Sequence, residues 1–89
     1  MLIHKNDSKQ RFETALGEEF AFIDFRMFEG NMVLMHTFVP LEGRGLKISE
    51  QLAEFVFDYL KSHQLKMKVY CPYLLAYLEK NPKHKELLV

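Results

Sequence analysis

The spacing of apolar residues changes midway along this chain, and that change constrains the fold more than any other feature. From Arg11 to Val39 apolar side chains recur about every second residue, as strands require; from Ile48 to Leu60 they recur at helical spacing. Arg11 to Leu16 sets Phe12, Thr14 and Leu16 on one face and Arg11 and Glu13 on the other, the pattern of a half-exposed edge strand. In Phe20 to Phe28 one face carries Ala21, Ile23, Phe25 and Met27, and Phe20, Phe22 and Phe25 read as core. Glu29-Gly30-Asn31 signals a hairpin turn. Met32 to Val39 is apolar on both faces apart from His36 and Thr37, which suits a central strand covered on both sides and places His36 among Met32, Leu34 and Phe38.

Past the turn-like stretch Pro40 to Gly45, Ile48, Leu52, Phe55, Val56, Tyr59 and Leu60 form an inward stripe, with Glu50, Glu54, Asp58 and Lys61 facing outward. Ser49 followed by Leu52 and Glu54 makes no capping box, so this helix starts without a clear signal. Leu65 to Cys71 returns to strand alternation. Pro72 opens a second helix that Asn81-Pro82 ends, and Lys83 to Leu88 adds a last helical turn. Strand, helix, strand at this length is a right-handed crossover that leaves its strands parallel. The expected class is therefore α+β: a mixed, mostly antiparallel sheet with one parallel strand-helix-strand unit and a C-terminal helix.

The 89 residues can support one core, hence a single domain over residues 1–89. Twelve basic residues balance twelve acidic ones, and no Lys/Arg block stands out, which argues against nucleic acid as a partner. Cys71 is the only cysteine, so no intramolecular disulfide can form. The start, Met1 to Lys5, lacks a signal-peptide pattern, and no run of about 18 apolar residues could span a membrane. A cytoplasmic protein with no membrane partner is expected. The four histidines and one cysteine lack metal-ligand spacing, so no metal is expected either. The chain would be a monomer or a homodimer.

Parallel strands put their carboxyl ends on one side of a sheet, where open α/β sheets bind ligands. Val39, the loop with Gly43 and Gly45, the start of the long helix, and Cys71 with the second helix start converge there. Free N–H groups at a helix amino end, reached through a glycine loop, suit a phosphate. Two glycines between a strand and a helix also make a plain tight turn.

His36-Thr37-Phe38-Val39-Pro40, then Arg44-Gly45, Ile48 and Leu52, then Tyr70-Cys71-Pro72-Tyr73 with Tyr77 and Asn81-Pro82, resemble the short, single-domain acetyl-CoA-binding subfamily of the GNAT superfamily of N-acetyltransferases. The resemblance runs from about Phe12 to the end. It implies that Met32–Val39 and Leu65–Cys71 splay apart and admit the acetyl-pantetheine arm. Phe38, Val39 and Pro40 would then hold that arm through their backbone. Gly43, Arg44, Gly45, Leu46, Lys47 and Ile48 would cradle the pyrophosphate, with Tyr73 beside the cofactor. Lys47 departs from the pattern, since a small residue usually stands two positions after the glycine; its side chain could neutralise pyrophosphate charge or crowd the cradle. The helices that shape the acceptor site in larger GNAT enzymes are also missing.

The implied reaction moves an acetyl group from acetyl-CoA to a primary amine of unknown identity. Cys71 is then a candidate nucleophile or acid/base group, and equally a small buried hydrophobe. His36 is a candidate general base or a hydrogen-bonded core residue. Tyr73 or Tyr77 could protonate the departing thiolate, or merely pack their helix. Two other readings compete: a non-catalytic acyl-CoA-binding regulatory module, and an interaction domain offering Arg11–Leu16 as an edge strand.

Overall fold

A computed structural model describes residues 1–89. Four strands come first: β1 (His4–Asn6), β2 (Arg11–Leu16), β3 (Glu19–Phe28) and β4 (Asn31–Phe38). A 3₁₀ turn at Leu41–Gly43 leads into α1 (Ile48–Ser62), followed by β5 (Met67–Val69), α2 (Pro72–Lys80) and a 3₁₀ segment at Pro82–Leu87. The five strands form one sheet in sequence order. β1 to β4 pair antiparallel with their neighbours, whereas β4 and β5 are parallel, joined by the α1 crossover. This is the α+β architecture that the change of period predicts.

The β3–β4 hairpin closes through Glu29 and Gly30, both at positive φ (52° and 82°), the two-residue turn whose twist matches paired strands. Both α-helices lie on one face of the sheet. Ile48, Leu52, Ala53, Val56, Phe57 and Leu60 of α1, and Leu74 and Leu78 of α2, join Phe12, Ile23, Phe25, Leu34, Met67 and Val69 in a single core cluster of 18 residues. The inward stripe of α1 is rotated from the one expected. Phe57 and Ala53 are fully buried, Phe55 is exposed, and Glu54 is drawn in by the C-terminal segment.

β1 is not legible in the sequence, and it changes the sheet's edge. Three polar residues carry no alternation, yet they pair with Arg11, Phe12 and Glu13 of β2. β2 is therefore no edge strand. Glu13 is buried, held by Arg11 Nε (2.5 Å), His4 Nε2 (3.0 Å) and Asn6 Nδ2 (3.1 Å). A buried carboxylate needs such partners.

A bulge in β4 makes the second departure. His36 lies opposite Asp24 and Leu34 opposite Phe25, so Met35 is an extra residue with no partner on β3. One inserted residue reverses the parity of everything after it. Thr37 turns inward beside Ile23, while His36 and Phe38 emerge on the helix-free face. His36 is thus exposed rather than packed among Met32 and Leu34, and this stretch of β4 is covered on one side only. Phe20 and Phe22 also lie half-buried on that outer face, where the Arg11 guanidinium sits 4.5 Å from the Phe22 ring centroid.

The β4–β5 pairing ends where the bulge begins. Its register runs Met32 with Met67, Val33 with Lys68 and Leu34 with Val69, and the last bond is Tyr70 N–H to the Leu34 carbonyl at 2.9 Å. Beyond it the strands part.

Candidate functional site

The loop between β4 and α1 is set by packing at one glycine and by backbone conformation at its end. Gly43 is buried, and a Cβ there would lie 2.6 Å from Leu16 Cδ1 and 2.9 Å from Ile48 Cδ1. A side chain would push the loop off the core. After it, Gly45 (φ 83°) and Lys47 (φ 58°) adopt left-handed conformations that turn the chain into the helix. Lys47 occupies that conformation without being glycine, which costs roughly 1–2 kcal/mol.

No side chain caps α1, and the first backbone bond onto its start is Gln51 N–H to the Lys47 carbonyl at 3.2 Å. The N–H groups of Ile48, Ser49 and Glu50 are left without acceptors in the protein. Together with the positive end of the helix dipole they present the kind of donors that suit an anion. A cleft of about 450 Å³ opens over them. Its walls are Thr37, Phe38 and Val39 at the parted end of β4, Gly43, Arg44, Gly45 and Lys47 of the loop, Ile48, Ser49 and Glu50 of α1, and Tyr73 of α2.

Eight residues that sequence reasoning singles out therefore meet in one cleft: Phe38, Val39, Gly43, Arg44, Gly45, Lys47, Ile48 and Tyr73. Pro40 is buried beneath the loop, and Leu46 points away, lining a separate groove with Met1 and Leu2. Thr37, Ser49 and Glu50 were not anticipated. The missing cap signal could have indicated Ser49 and Glu50, because an uncapped helix start exposes their amides.

Cys71 precedes α2, is 3% exposed and does not line the cleft. Its thiol lies 3.2 Å from Thr37 Oγ1, and Thr37 does line the cleft. This contact is a side-chain link between the strands where their backbones have parted. His36 stands on the opposite, helix-free face with Nδ1 3.2 Å from both carboxylate oxygens of Asp24, whose Oδ1 also accepts the His36 N–H at 2.7 Å. Burial, then the proximity of Glu50 and Cys71, pushes the Tyr73 phenol up to about 12, so it keeps its proton at neutral pH.

Tyr77 lies outside this cleft and donates its hydroxyl to Glu54 Oε2, which also meets His84 Nε2 at 3.0 Å. Burial and then this bond to Glu54 raise the Tyr77 phenol. Burial alone would raise Glu54, but its bonds from Tyr77 and His84 outweigh that and hold it below the ordinary carboxylate range. His84 is buried against Phe57, with ring centroids 4.7 Å apart. No group of three or more His, Cys, Asp or Glu side chains is placed to hold a metal ion. No helix is long and apolar enough to cross a membrane.

A model of the GCN5-related N-acetyl-transferase family matches residues 11–87. The chain belongs to that family. The match begins with β2 and ends in the last 3₁₀ segment, so it covers the parted strands, the loop and both helices. Membership brings a function of the acyltransferase type. Within that matched stretch the chain carries Lys47 at a left-handed position and a sheet face with no helix on it.

Proposed function

We propose that the protein transfers an acetyl group from acetyl-CoA to a primary amine. The observation that carries this reading is the parting of β4 from β5 beyond Leu34 and Val69, beside the three free amides of α1. The donor set fits the cofactor. The amides of Ile48, Ser49 and Glu50, with Arg44 and Lys47, suit the diphosphate. The backbone of Phe38 and Val39, which no residue of β5 pairs with, suits the amides of the pantetheine arm and the thioester carbonyl, whose oxygen gains negative charge during attack.

The amine must be neutral to attack, and for a lysine-like acceptor at pH 7 losing its proton costs about 4–5 kcal/mol. His36 can accept that proton. With Nδ1–H donated to Asp24, Nε2 is left as the acceptor, on a face open to an incoming substrate. As the C–N bond forms and the C–S bond breaks, the departing thiolate takes a proton. Tyr73, still protonated and within the cleft, can supply it. Cys71 lies close by through Thr37, as a relay or a transient acyl carrier.

The open acceptor face and the buried position of Cys71 favour a second reading, a non-catalytic acyl-CoA-binding module. Titration calorimetry with acetyl-CoA, followed by free-thiol release with a panel of amines, tests both. Saturable binding with amine-dependent thiol release supports the enzyme; binding without release supports the module. Absence of saturable binding sinks both. In the enzyme, Cys71→Ala should lower turnover by about 100-fold, the low end for a lost proton-transfer group, while acetyl-CoA affinity holds.

A further inference from the structure

The helix-free face of the sheet carries His36 but no cleft beside it. Five clefts of about 400–460 Å³ open on the molecule, and none is lined by His36, Asp24, Phe22, Arg26, Lys68 or Tyr70. A small molecule is held by a concave site that covers most of its surface. None of these clefts is at His36, so the acceptor is held by contacts spread beyond its reactive amine. We propose that the acceptor is a lysine side chain of an acidic polypeptide, with Arg26 and Lys68 as the cations that select it. The inference rests on the acetyl-transfer reading above and names its substrate class.

The rows of the sheet place these groups. Arg26 lies opposite Val33, and Val33 opposite Lys68, so the two cations share one row across β3, β4 and β5. His36 stands opposite Asp24, two residues from Arg26 along β3, which puts the proton acceptor roughly 7 Å from that row. An extended peptide covers the same distance in two residues, so a carboxylate two positions from the lysine meets the cations while the amine meets His36. Phe38 on β4 and Tyr70 just after β5 are exposed on this face, one beside each parted strand. Their rings offer apolar surface to a four-carbon stem, which carries a compact amine between the strands while its backbone stays outside. In the transfer, the amine gives a proton to His36 Nε2 and forms the amide C–N bond as the thioester C–S bond breaks. Coenzyme A leaves as the thiol, its proton coming from Tyr73.

The charges on this face differ in what they have left to offer. Glu13 is taken by Arg11, His4 and Asn6, and Asp24 by His36. Arg26 and Lys68 are both exposed. Arg26 donates to the Phe25 carbonyl at 2.8 Å, and the Lys68 ammonium lies 5.9 Å from the Tyr70 ring centroid; neither meets a carboxylate. Two unpaired cations beside two spent carboxylates complement an anionic chain. A second copy of this protein would bring the same two cations and the same two spent carboxylates, so it fits the face poorly.

The test measures free-thiol release from acetyl-CoA at low salt with four acceptors. One is n-butylamine, the lysine side chain alone; the others are end-blocked peptides with a single lysine among glutamates, glutamines or arginines. In the wild type, kcat/KM for the glutamate peptide should exceed that for the glutamine peptide by about tenfold, the size of two exposed charge pairs. The n-butylamine value should fall below that of the glutamine peptide, since it makes no remote contacts. Arg26→Gln with Lys68→Gln should bring the glutamate-to-glutamine ratio close to one. Arg26→Glu with Lys68→Glu should reverse the order in favour of the arginine peptide, a gain that a damaged fold cannot give. Equal turnover of n-butylamine and the glutamate peptide, or a glutamate preference that survives charge reversal, overturns the assignment and leaves the acetyl-transfer reading intact. A stable wild-type dimer in light scattering that Phe38→Glu splits would give the face to a second copy and overturn it too. If no acceptor releases thiol, the acetyl-transfer reading fails and takes this assignment with it.

Discussion

The two ends of the β4–β5 pair are built in opposite ways. At the end where the strands pair, the chain folds back on itself. Leu88 bridges Met67 in parallel, Val89 N–H reaches the Met67 carbonyl at 3.0 Å, and Lys66 Nζ donates to the Glu86 carbonyl at 2.7 Å. Just inside, Leu87 is buried and His84 lies between Phe57 and Glu54. At the other end there is no backbone bond between the strands after Leu34, no cap on α1, and a non-glycine residue in a left-handed conformation. Strands can be held apart at one end only if they are fixed at the other. Unsatisfied donors and backbone strain are tolerated at the open end because the closed end carries the packing.

The sharpest way to break this contrast is to empty the closed end. Phe57 is fully buried, with Tyr77 and His84 against its ring. Phe57→Ala should lower stability by about 3–5 kcal/mol, the usual cost of deleting a core aromatic. That is a large share of the roughly 5–15 kcal/mol available to a domain. Denaturant unfolding gives the loss directly. Affinity for acetyl-CoA, measured in the cold on the fraction that remains folded, should stay within about twofold, since Phe57 does not line the cleft over the start of α1. A stability loss below about 1 kcal/mol would show that the closed end does not anchor the splay.

How much of this was visible in the sequence depends on the range of the interaction responsible. The β3–β4 hairpin was legible because Glu29-Gly30 is a local turn signal, and α1 because its period is local too. The loop and cleft were legible because the change of period marks where strand gives way to helix. Three features were not. β1 is three polar residues whose only reason to be a strand is pairing with Arg11–Glu13. The bulge at Met35 adds one apolar residue to an apolar run, so nothing shows that His36 and Thr37 have exchanged faces. The Glu54–His84 contact joins residues 30 apart in sequence, and on helical spacing alone Glu54 reads as solvent-facing. The absent capping box, by contrast, was a signal already present: a helix without a cap has free amides to offer.

A smaller effect tests the closed end electrostatically. Glu54 has its carboxyl held below the ordinary value of 4.5, with the Tyr77 and His84 bonds overcoming the opposing effect of burial. A depressed folded value means that its stabilisation is complete above the unfolded value and is lost as pH falls through the folded one. Stability should therefore decline as the pH drops below about 4.5, alongside that of Glu13, which is depressed in the same sense. Glu54→Gln should cost about 1–2 kcal/mol at pH 7, somewhat less than the roughly 1.5–3 kcal/mol of a buried hydrogen bond to a charged group, because the carboxylate is partly exposed. It should also flatten the acid limb of the stability profile. A profile identical to wild type would mean that the carboxylate contributes nothing to anchoring the C-terminal segment.

The smallest expected effect is the most informative about the open end, because two readouts should move in opposite directions. Lys47 sits at φ 58° with an exposed side chain at the rim of the cleft. Lys47→Gly removes the left-handed strain, worth roughly 1–2 kcal/mol, and adds unfolded-state entropy that offsets about half of it. The variant should thus be more stable by a few tenths to about 1 kcal/mol in denaturant unfolding. It also loses a cation beside the free amides, so acetyl-CoA affinity should fall severalfold at low salt, with the difference fading as the Debye length shrinks to about 3 Å near 1 M salt. Greater stability with weaker binding would show that the strain at Lys47 is kept for its charge. Greater stability with tighter binding would show instead that the side chain crowds the cradle, and that the position would serve the cofactor better as glycine.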